Sequence, residues 1–221
     1  GAVVGMPTET VYGLAADARN PEAVRQIFAA KGRPADNPLI VHIAEMRALE
    51  QVAATVPPLA EKLAERFWPG PLTMILPKRK EIPEITSGGL DTVGIRMPSH
   101  PVARALIQLS GVPIAAPSAN ISGYPSPTTA QHVMRDMQGK IAAVVDGGAC
   151  SVGVESTVIA LEPNGAVRIL RPGFVTKEML EEVAPEVTLD PAILHQLQEG
   201  QTVRSPGMKY QHYSPRAHVI L

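Results

Sequence analysis

The sequence predicts an α/β (α+β) domain built on a twisted, mixed β-sheet flanked by helices. Two observations lead there. Short apolar runs of strand length alternate along the chain with segments of helical periodicity, the order that lays helices against a sheet. The runs are also short and unevenly spaced, and 22 prolines and 18 glycines punctuate them. A regular doubly wound parallel sheet is therefore not compelled, and a mixed one fits better. The 221 residues, 45% of them hydrophobic, suffice for one large domain, or for one domain plus an appendage.

The elements follow in order. Val3 to Met6 reads as a strand leading into Pro7. Asn20 is a helix cap with Pro21 at the first helical position, and Val24, Ile27 and Phe28 form the apolar stripe. Pro38 to Ile43 reads as a buried strand, followed by helices over Glu45 to Ala54 and Pro58 to Phe67. Leu72 to Leu76 and Thr92 to Met97 are predicted strands, Pro101 to Ser110 a helix and Pro113 to Ala116 a strand. A polar loop covers Pro117 to Pro127, and Thr128 caps a helix ending near Gly139. Ile141 to Val145, Thr157 to Leu161 and Val167 to Leu170 complete the strands. Helical patterns return at Lys177 to Val183 and Pro191 to Gln198. The one clear boundary follows Gln198, giving a catalytic domain over 1–198 and a linker over 199–221 marked by Glu199-Gly200-Gln201 and Ser205-Pro206-Gly207. The abrupt ends, Gly1-Ala2-Val3-Val4 and Ala217-His218-Val219-Ile220-Leu221, carry the expectation of a fragment of a longer chain.

Composition narrows the function. With 19% charged residues and a net charge of −1, the chain lacks the basic excess of a typical phosphate-wrapping domain, although a local patch stays open. The one cysteine, Cys150, rules out an internal disulfide framework and points to a reducing, cytoplasmic compartment. It reads more simply as a small buried residue than as a nucleophile. No apolar run approaches the roughly 20 residues of a membrane span, and no secretory signal pattern is present.

The polar residues stranded at strand ends carry the chemistry. There is no phosphate-loop or dinucleotide glycine fingerprint, no nucleophile elbow, and no His/Cys pattern at zinc spacing. Lys31-Gly32-Arg33-Pro34 places two cations beside a helix end. They either reach one oxyanion from two directions or simply balance the helix dipole before a glycine stop. His42 ends a Leu-Ile-Val run and is either a satisfied core histidine or a site residue. Arg96 stands at a strand end before Met97-Pro98 and is either solvated or aimed into a cleft, where it is a candidate to grip a carboxylate. Ala116-Pro117-Ser118-Ala119-Asn120-Ile121-Ser122-Gly123 follows a strand directly and suits a phosphate cradle or an ordinary polar turn. Ser126 and Thr128 read as turn and cap residues, with Ser126 also open to ligand contact. Val154-Glu155-Ser156-Thr157 precedes a strand, and Arg171-Pro172-Gly173 ends one. Cations, hydroxyls, an amide, a histidine and no strong nucleophile suit anionic substrates and a reaction run by positioning and charge stabilisation, of which phosphoryl or nucleotidyl transfer is the type.

These segments resemble the YrdC-like threonylcarbamoyl-AMP synthase family. The resemblance rests on Pro7-Thr8-Glu9-Thr10-Val11-Tyr12-Gly13-Leu14, on Ile27 to Pro34, and on Asn37-Pro38-Leu39-Ile40-Val41-His42. It continues through Trp68-Pro69-Gly70-Pro71-Leu72-Thr73, Arg96-Met97-Pro98, Ala116 to Asn120 and Val154 to Thr157. It covers nearly all of residues 1–175. Ser205 to Pro215 looks like the linker of the family's long form, which carries a second, Rossmann-like domain after it. The resemblance implies condensation of L-threonine, bicarbonate or CO2, and ATP to threonylcarbamoyl-AMP and pyrophosphate. The product would feed a tRNA threonylcarbamoyl-transfer complex. It implies threonine contacts at Thr10, His42, Arg96, Ala116 and Ser156. It implies ATP contacts at Lys31, Arg33, Asn37, Thr92, Ser118, Asn120, Ser126 and Arg171, with Tyr210 or Tyr213 of the linker over the nucleotide. Lys31 and Arg33 would stabilise charge, and Mg2+ would arrive on the ATP phosphates rather than in a protein cage. Glu9 and Tyr12 either shape the threonine wall or pack behind it.

Two other readings compete. One is a non-catalytic RNA-binding module, against which net charge −1 and 4% aromatic residues weigh; weak RNA affinity remains an expectation beside catalysis. The other is a carbamoyltransferase, since YrdC-like domains also occur in larger carbamoyl-adenylate enzymes with appended modules that are not seen in this sequence.

Overall fold

The computed structural model describes residues 1–32 and 34–193. In chain order the elements are β1 (Val4–Met6), β2 (Gly13–Asp17), α1 (Pro21–Lys31), β3 (Ile40–His42), a 3-10 turn (Met46–Gln51), α2 (Pro58–Phe67), β4 (Leu72–Pro77), α3 (Glu84–Ser87), β5 (Thr92–Arg96) and α4 (Pro101–Ser110). Then come β6 (Ile114–Ala115), α5 (Ala130–Met137), β7 (Ala143–Val144), β8 (Thr157–Leu161), β9 (Val167–Arg171), α6 (Lys177–Glu181), β10 (Val187–Leu189) and a second 3-10 turn (Pro191–Ile193).

The strands form one sheet in the order β10-β9-β8-β4-β5-β3-β6-β2-β1-β7. It is mixed as expected: β3 runs parallel to β5 and β4 parallel to β8, whereas β4 is antiparallel to β5 and β6 antiparallel to both β2 and β3. Strand alternation divides the core between the two faces. Leu14 and Ala16 join the large cluster with Ile27, Phe28, Val41, Leu63 and Ile95. Ala15 points the other way, into a smaller cluster with Met6, Ala103, Ile107 and Ile114. Among the described residues no helix is long and apolar enough to cross a membrane.

Local signals placed most elements. Asn20 Oδ1 accepts from the backbone N–H of Glu22 at 3.0 Å and of Ala23 at 3.2 Å, and α1 stops at Gly32 in the left-handed region. Several expectations are corrected. The helix expected over Glu45 to Ala54 is only a 3-10 turn: Glu45 makes no cap hydrogen bond and Leu49 is the turn's buried residue, too little apolar surface to hold a longer helix. Thr129, not Thr128, caps α5, its hydroxyl accepting from His132 N–H at 3.3 Å. The helix from Lys177 ends at Glu181. The helical pattern from Pro191 is a 3-10 turn to Ile193, and its remainder lies outside the described residues. Strands β2 and β10 and the short α3 are not among the elements that the sequence predicts. In β2, Gly-Leu-Ala-Ala-Asp has little β-propensity, and it is a strand because β1 and β6 pair on either side of it.

Candidate functional site

The C-terminal ends of parallel β3 and β5 place His42 beside Arg96 in direct register. The turn after β1 completes this corner. Thr8 Oγ1 donates to the carbonyl of Val11 at 2.6 Å and accepts from the N–H groups of Thr10 and Val11 at 3.2 Å each. The turn is thereby fixed with Thr8 and Thr10 on the wall of a cavity and Glu9 behind it. Arg96 crosses between them. Its Nη1 donates to Thr10 Oγ1 at 2.8 Å, its Nε to the Gly70 carbonyl at 3.3 Å, and its Nη2 lies 2.5 Å from Glu9 Oε1. The Arg96 and Glu9 side chains are 4% and 6% exposed. Burial pulls the guanidinium below its ordinary value, and the Glu9 carboxylate opposes that pull.

His42 is buried in the same corner. Burial first, and the Arg96 charge second, lower its imidazole to about 3, against opposing hydrogen bonds to the Ile114 and Ile40 backbone. At neutral pH it is a neutral, polar wall rather than a second cation. Stability acquires a pH dependence from this. Between about 3 and the ordinary 6.5 the unfolded chain binds a proton that the native imidazole refuses, so stability falls as pH drops through that window. His42→Gln should flatten the loss, which for the native residue amounts to several kcal/mol, on the order of 1.4 per pKa unit. Urea unfolding of both proteins at a series of pH values checks this; parallel slopes would count against it.

Ser156, just before β8, is held from two sides. Thr73 of β4 lies 2.7 Å away, hydroxyl to hydroxyl. Arg171, at the end of β9, donates through Nε and Nη2 to the Ser156 carbonyl at 3.1 and 2.9 Å and through Nη2 to its hydroxyl at 3.1 Å. The close approach depends on Gly173: a Cβ there would lie 2.5 Å from the Glu155 carbonyl and 2.6 Å from the Thr157 nitrogen. Gly173→Ala is expected to lever the Arg171 strand end away from Ser156 and to destabilise the domain by about 1–3 kcal/mol. Denaturant midpoints read the stability. An unchanged midpoint would mean that the two segments do not need this contact.

The loop after β6 forms the opposite rim. Lys31, buried at the end of α1, donates from Nζ to the carbonyls of Ser118 at 2.5 Å and Asn120 at 2.8 Å. Asn120 Nδ2 donates to the carbonyls of Ile121 and Tyr124 at 2.9 and 2.8 Å, while its Oδ1 has no hydrogen-bond partner. Ser126 donates to Glu155 Oε1 at 2.5 Å and ties this loop to the one before β8. Tyr12 packs behind the wall, its hydroxyl donating to the Gly148 carbonyl at 2.7 Å. Burial pushes the Cys150 thiol up to about 11, so at neutral pH it is protonated and a poor nucleophile.

These segments enclose a cavity of about 270 Å³. Its wall brings together Thr10, His42, Arg96, Ala116 and Ser156, together with Ser118 and Arg171. Lys31, Asn37, Asn120 and Ser126 stand behind or beside that wall. Asn37, fully buried next to the lining residue Pro38, has neither side-chain polar atom hydrogen-bonded. Thr92 begins β5, four residues before Arg96, about 13 Å along the strand. Arg33, Tyr210 and Tyr213 lie outside the described residues. The sequence motifs include Thr8 and Glu155, which line the cavity, and Thr73, which holds Ser156, but assign them no ligand role. The Thr-x-Thr spacing of Thr8 and Thr10 could have flagged Thr8; nothing local flags Thr73.

Comparison with known proteins bears on this geometry. Residues 1–173 match the Sua5/YciO/YrdC family model, described as telomere recombination. Residues 175–221 match the model described as the threonylcarbamoyl-AMP synthase C-terminal domain. The threonylcarbamoyl-AMP synthase of Pyrococcus abyssi is 55% identical over 221 residues, covering 100% of this chain and 64% of that protein. The Bacillus subtilis threonylcarbamoyl-AMP synthase is 54% identical over 217 residues, covering 97% and 61%. The chain thus spans less than two thirds of the length of these relatives. The crystal structure of Pyrococcus abyssi Sua5 complexed with L-threonine superposes with a TM-score of 0.93 at 54% identity, covering 98% of this chain and 63% of that one.

Proposed function

The chain belongs to the Sua5/YciO/YrdC family, and from that premise we propose that it condenses L-threonine, bicarbonate or CO2, and ATP to L-threonylcarbamoyl-adenylate and pyrophosphate. The observation that carries the reading is a buried arginine, pinned by Thr10 and Glu9, facing a small cavity beside a neutral histidine and a clamped serine. That arrangement suits the carboxylate and hydroxyl of a small polar amino acid.

In this reading the threonine carboxylate meets Arg96, and Thr10, His42 and Ser156 supply uncharged polar contacts. The threonine nitrogen, after loss of one ammonium proton, attacks the carbon of CO2. A second proton leaves the nitrogen, giving a carbamate. A carbamate oxygen then attacks the α-phosphorus of ATP. The bond from that phosphorus to the bridging oxygen breaks, and pyrophosphate departs with the electron pair. The chain's part is orientation and exclusion of water, because a carbamate falls apart when solvated. ATP would lie over the rim formed by Ser118, Asn120, Ser126 and Arg171. The buried, unpartnered Asn37 amide supports this placement, since leaving such a group unsatisfied costs about 1–3 kcal/mol. Lys31 would act through the Ser118–Asn120 loop it holds. Arg33, Tyr210 and Tyr213 would complete the nucleotide contacts, and Thr92 would add one from the far end of β5. Among the described residues no three His, Cys, Asp or Glu side chains converge. In this reading Mg2+ would come as the counter-ion that ATP brings with its phosphates and waters. The adenylate would pass to a complex that transfers the threonylcarbamoyl group to tRNA.

Mass spectrometry of reactions lacking each substrate in turn tests the reading. Threonylcarbamoyl-AMP should form only when threonine, bicarbonate and ATP are all present. RNA retention by a protein that makes no adenylate would overturn it in favour of a binding module.

A further inference from the structure

We propose that Glu9 is the positioning residue that sets the charge of the amino-acid pocket, making it accept a zwitterion and reject a simple anion. The inference rests on the reading that Arg96 receives the substrate carboxylate.

The geometry is specific. Each of the three guanidinium nitrogens of Arg96 meets a different fixed oxygen: Gly70 O, Thr10 Oγ1 and Glu9 Oε1. Two of these partners are neutral. Only Glu9 carries charge, and it is buried off the cavity wall, which Thr8 and Thr10 line and Glu9 does not. The turn that aims it there is closed by the Thr8 hydroxyl and by Val152 N–H donating to the Glu9 carbonyl at 2.8 Å.

The consequence is electrostatic. A lone buried guanidinium would present a full positive charge in a poorly screened corner and would hold carboxylates indiscriminately. Paired with Glu9, the corner is neutral overall. The rest of the wall does not change this: His42 is neutral and the Cys150 thiol protonated at neutral pH, and the other two charged lining residues, Arg171 and Glu155, are of opposite sign. A neutral dipole matches an amino acid whose own carboxylate and ammonium cancel. A carboxylate without an ammonium brings uncompensated negative charge toward Glu9 and is disfavoured.

The probes are L-threonine and 2,3-dihydroxybutanoate, which keeps the carboxylate and side chain but has a hydroxyl for the amine. Calorimetric titration of the 221-residue chain should show threonine favoured at least about tenfold over this analogue. In Glu9→Gln, which keeps the shape and removes the charge, that ratio should shrink by about tenfold or more, mainly through tighter analogue binding. Glu9→Asp should preserve the ratio while weakening both ligands, because charge is kept and position is lost. A merely structural Glu9 would weaken both ligands equally in Gln and Asp alike, and that result overturns the proposal. Should Glu9→Gln fail to fold, equal binding of the two ligands by the unaltered chain, or a lost ratio in Glu9→Asp, overturns it as well. Absence of threonine binding by the unaltered chain would refute the underlying reading instead.

Discussion

Arg96→Ala is expected to cut threonine use by at least about a hundredfold while ATP binding changes little. Removing one partner of a buried charge pair typically costs about 2–5 kcal/mol, much of it from the partner left behind. Here that partner is Glu9, 6% exposed and with no other charge partner among the described residues. The variant should therefore also lose about 3–5 kcal/mol of stability. Arg96→Lys separates the two effects. It retains a charge for Glu9 and should recover much of the stability. It lacks the planar fork that reaches Gly70, Thr10 and Glu9 together, so threonine affinity should stay low. Threonine and ATP titrations alongside denaturant unfolding check both. Equal losses for threonine and ATP would mean that Arg96 does not hold the carboxylate.

Lys31→Met should have the second largest effect, and through a different route. The Lys31 side chain is 2% exposed, and its ammonium bonds two carbonyls of the loop after β6. Methionine fills similar volume but leaves those carbonyls without their donor. Each unsatisfied buried group costs about 1–3 kcal/mol. The loop should then loosen, and with it Ser118 on the cavity wall and Asn120 beside it. Pyrophosphate release is expected to fall about a hundredfold or more, with the Michaelis constant for ATP rising more than that for threonine. A fall confined to stability, with ATP handling intact, would leave Lys31 a structural residue only.

These expectations divide the sequence from the fold. The elements carrying strong local signals were readable from residues alone. Asn20-Pro21 with Gly32 bounds α1, and Pro58 to Phe67 and Pro101 to Ser110 coincide with α2 and α4. The polar residues at strand ends were visible as candidates because packing alone does not put Arg96, His42 or Ser156 next to apolar runs. Strand β2 was not readable, because Gly13 to Asp17 is extended only by virtue of its two neighbours. The 3-10 turn over Met46–Gln51 shows the reverse: a helical pattern without enough core to bury.

The residue types, their order and the family they resemble were determined by the sequence alone: a mixed α/β domain with cations, hydroxyls and an amide at its strand ends. The tertiary structure decided which of these face one another, and what charge they carry there. Lys31, adjacent in sequence to the Gly32-Arg33 pair, turns inward beneath a loop 87 residues away. Glu9, adjacent to Thr10, is buried off the cavity wall and neutralises Arg96. His42 becomes an uncharged wall through burial beside that cation. Charge state and side-chain direction depend on through-space distance and desolvation, which a linear order of residues does not contain.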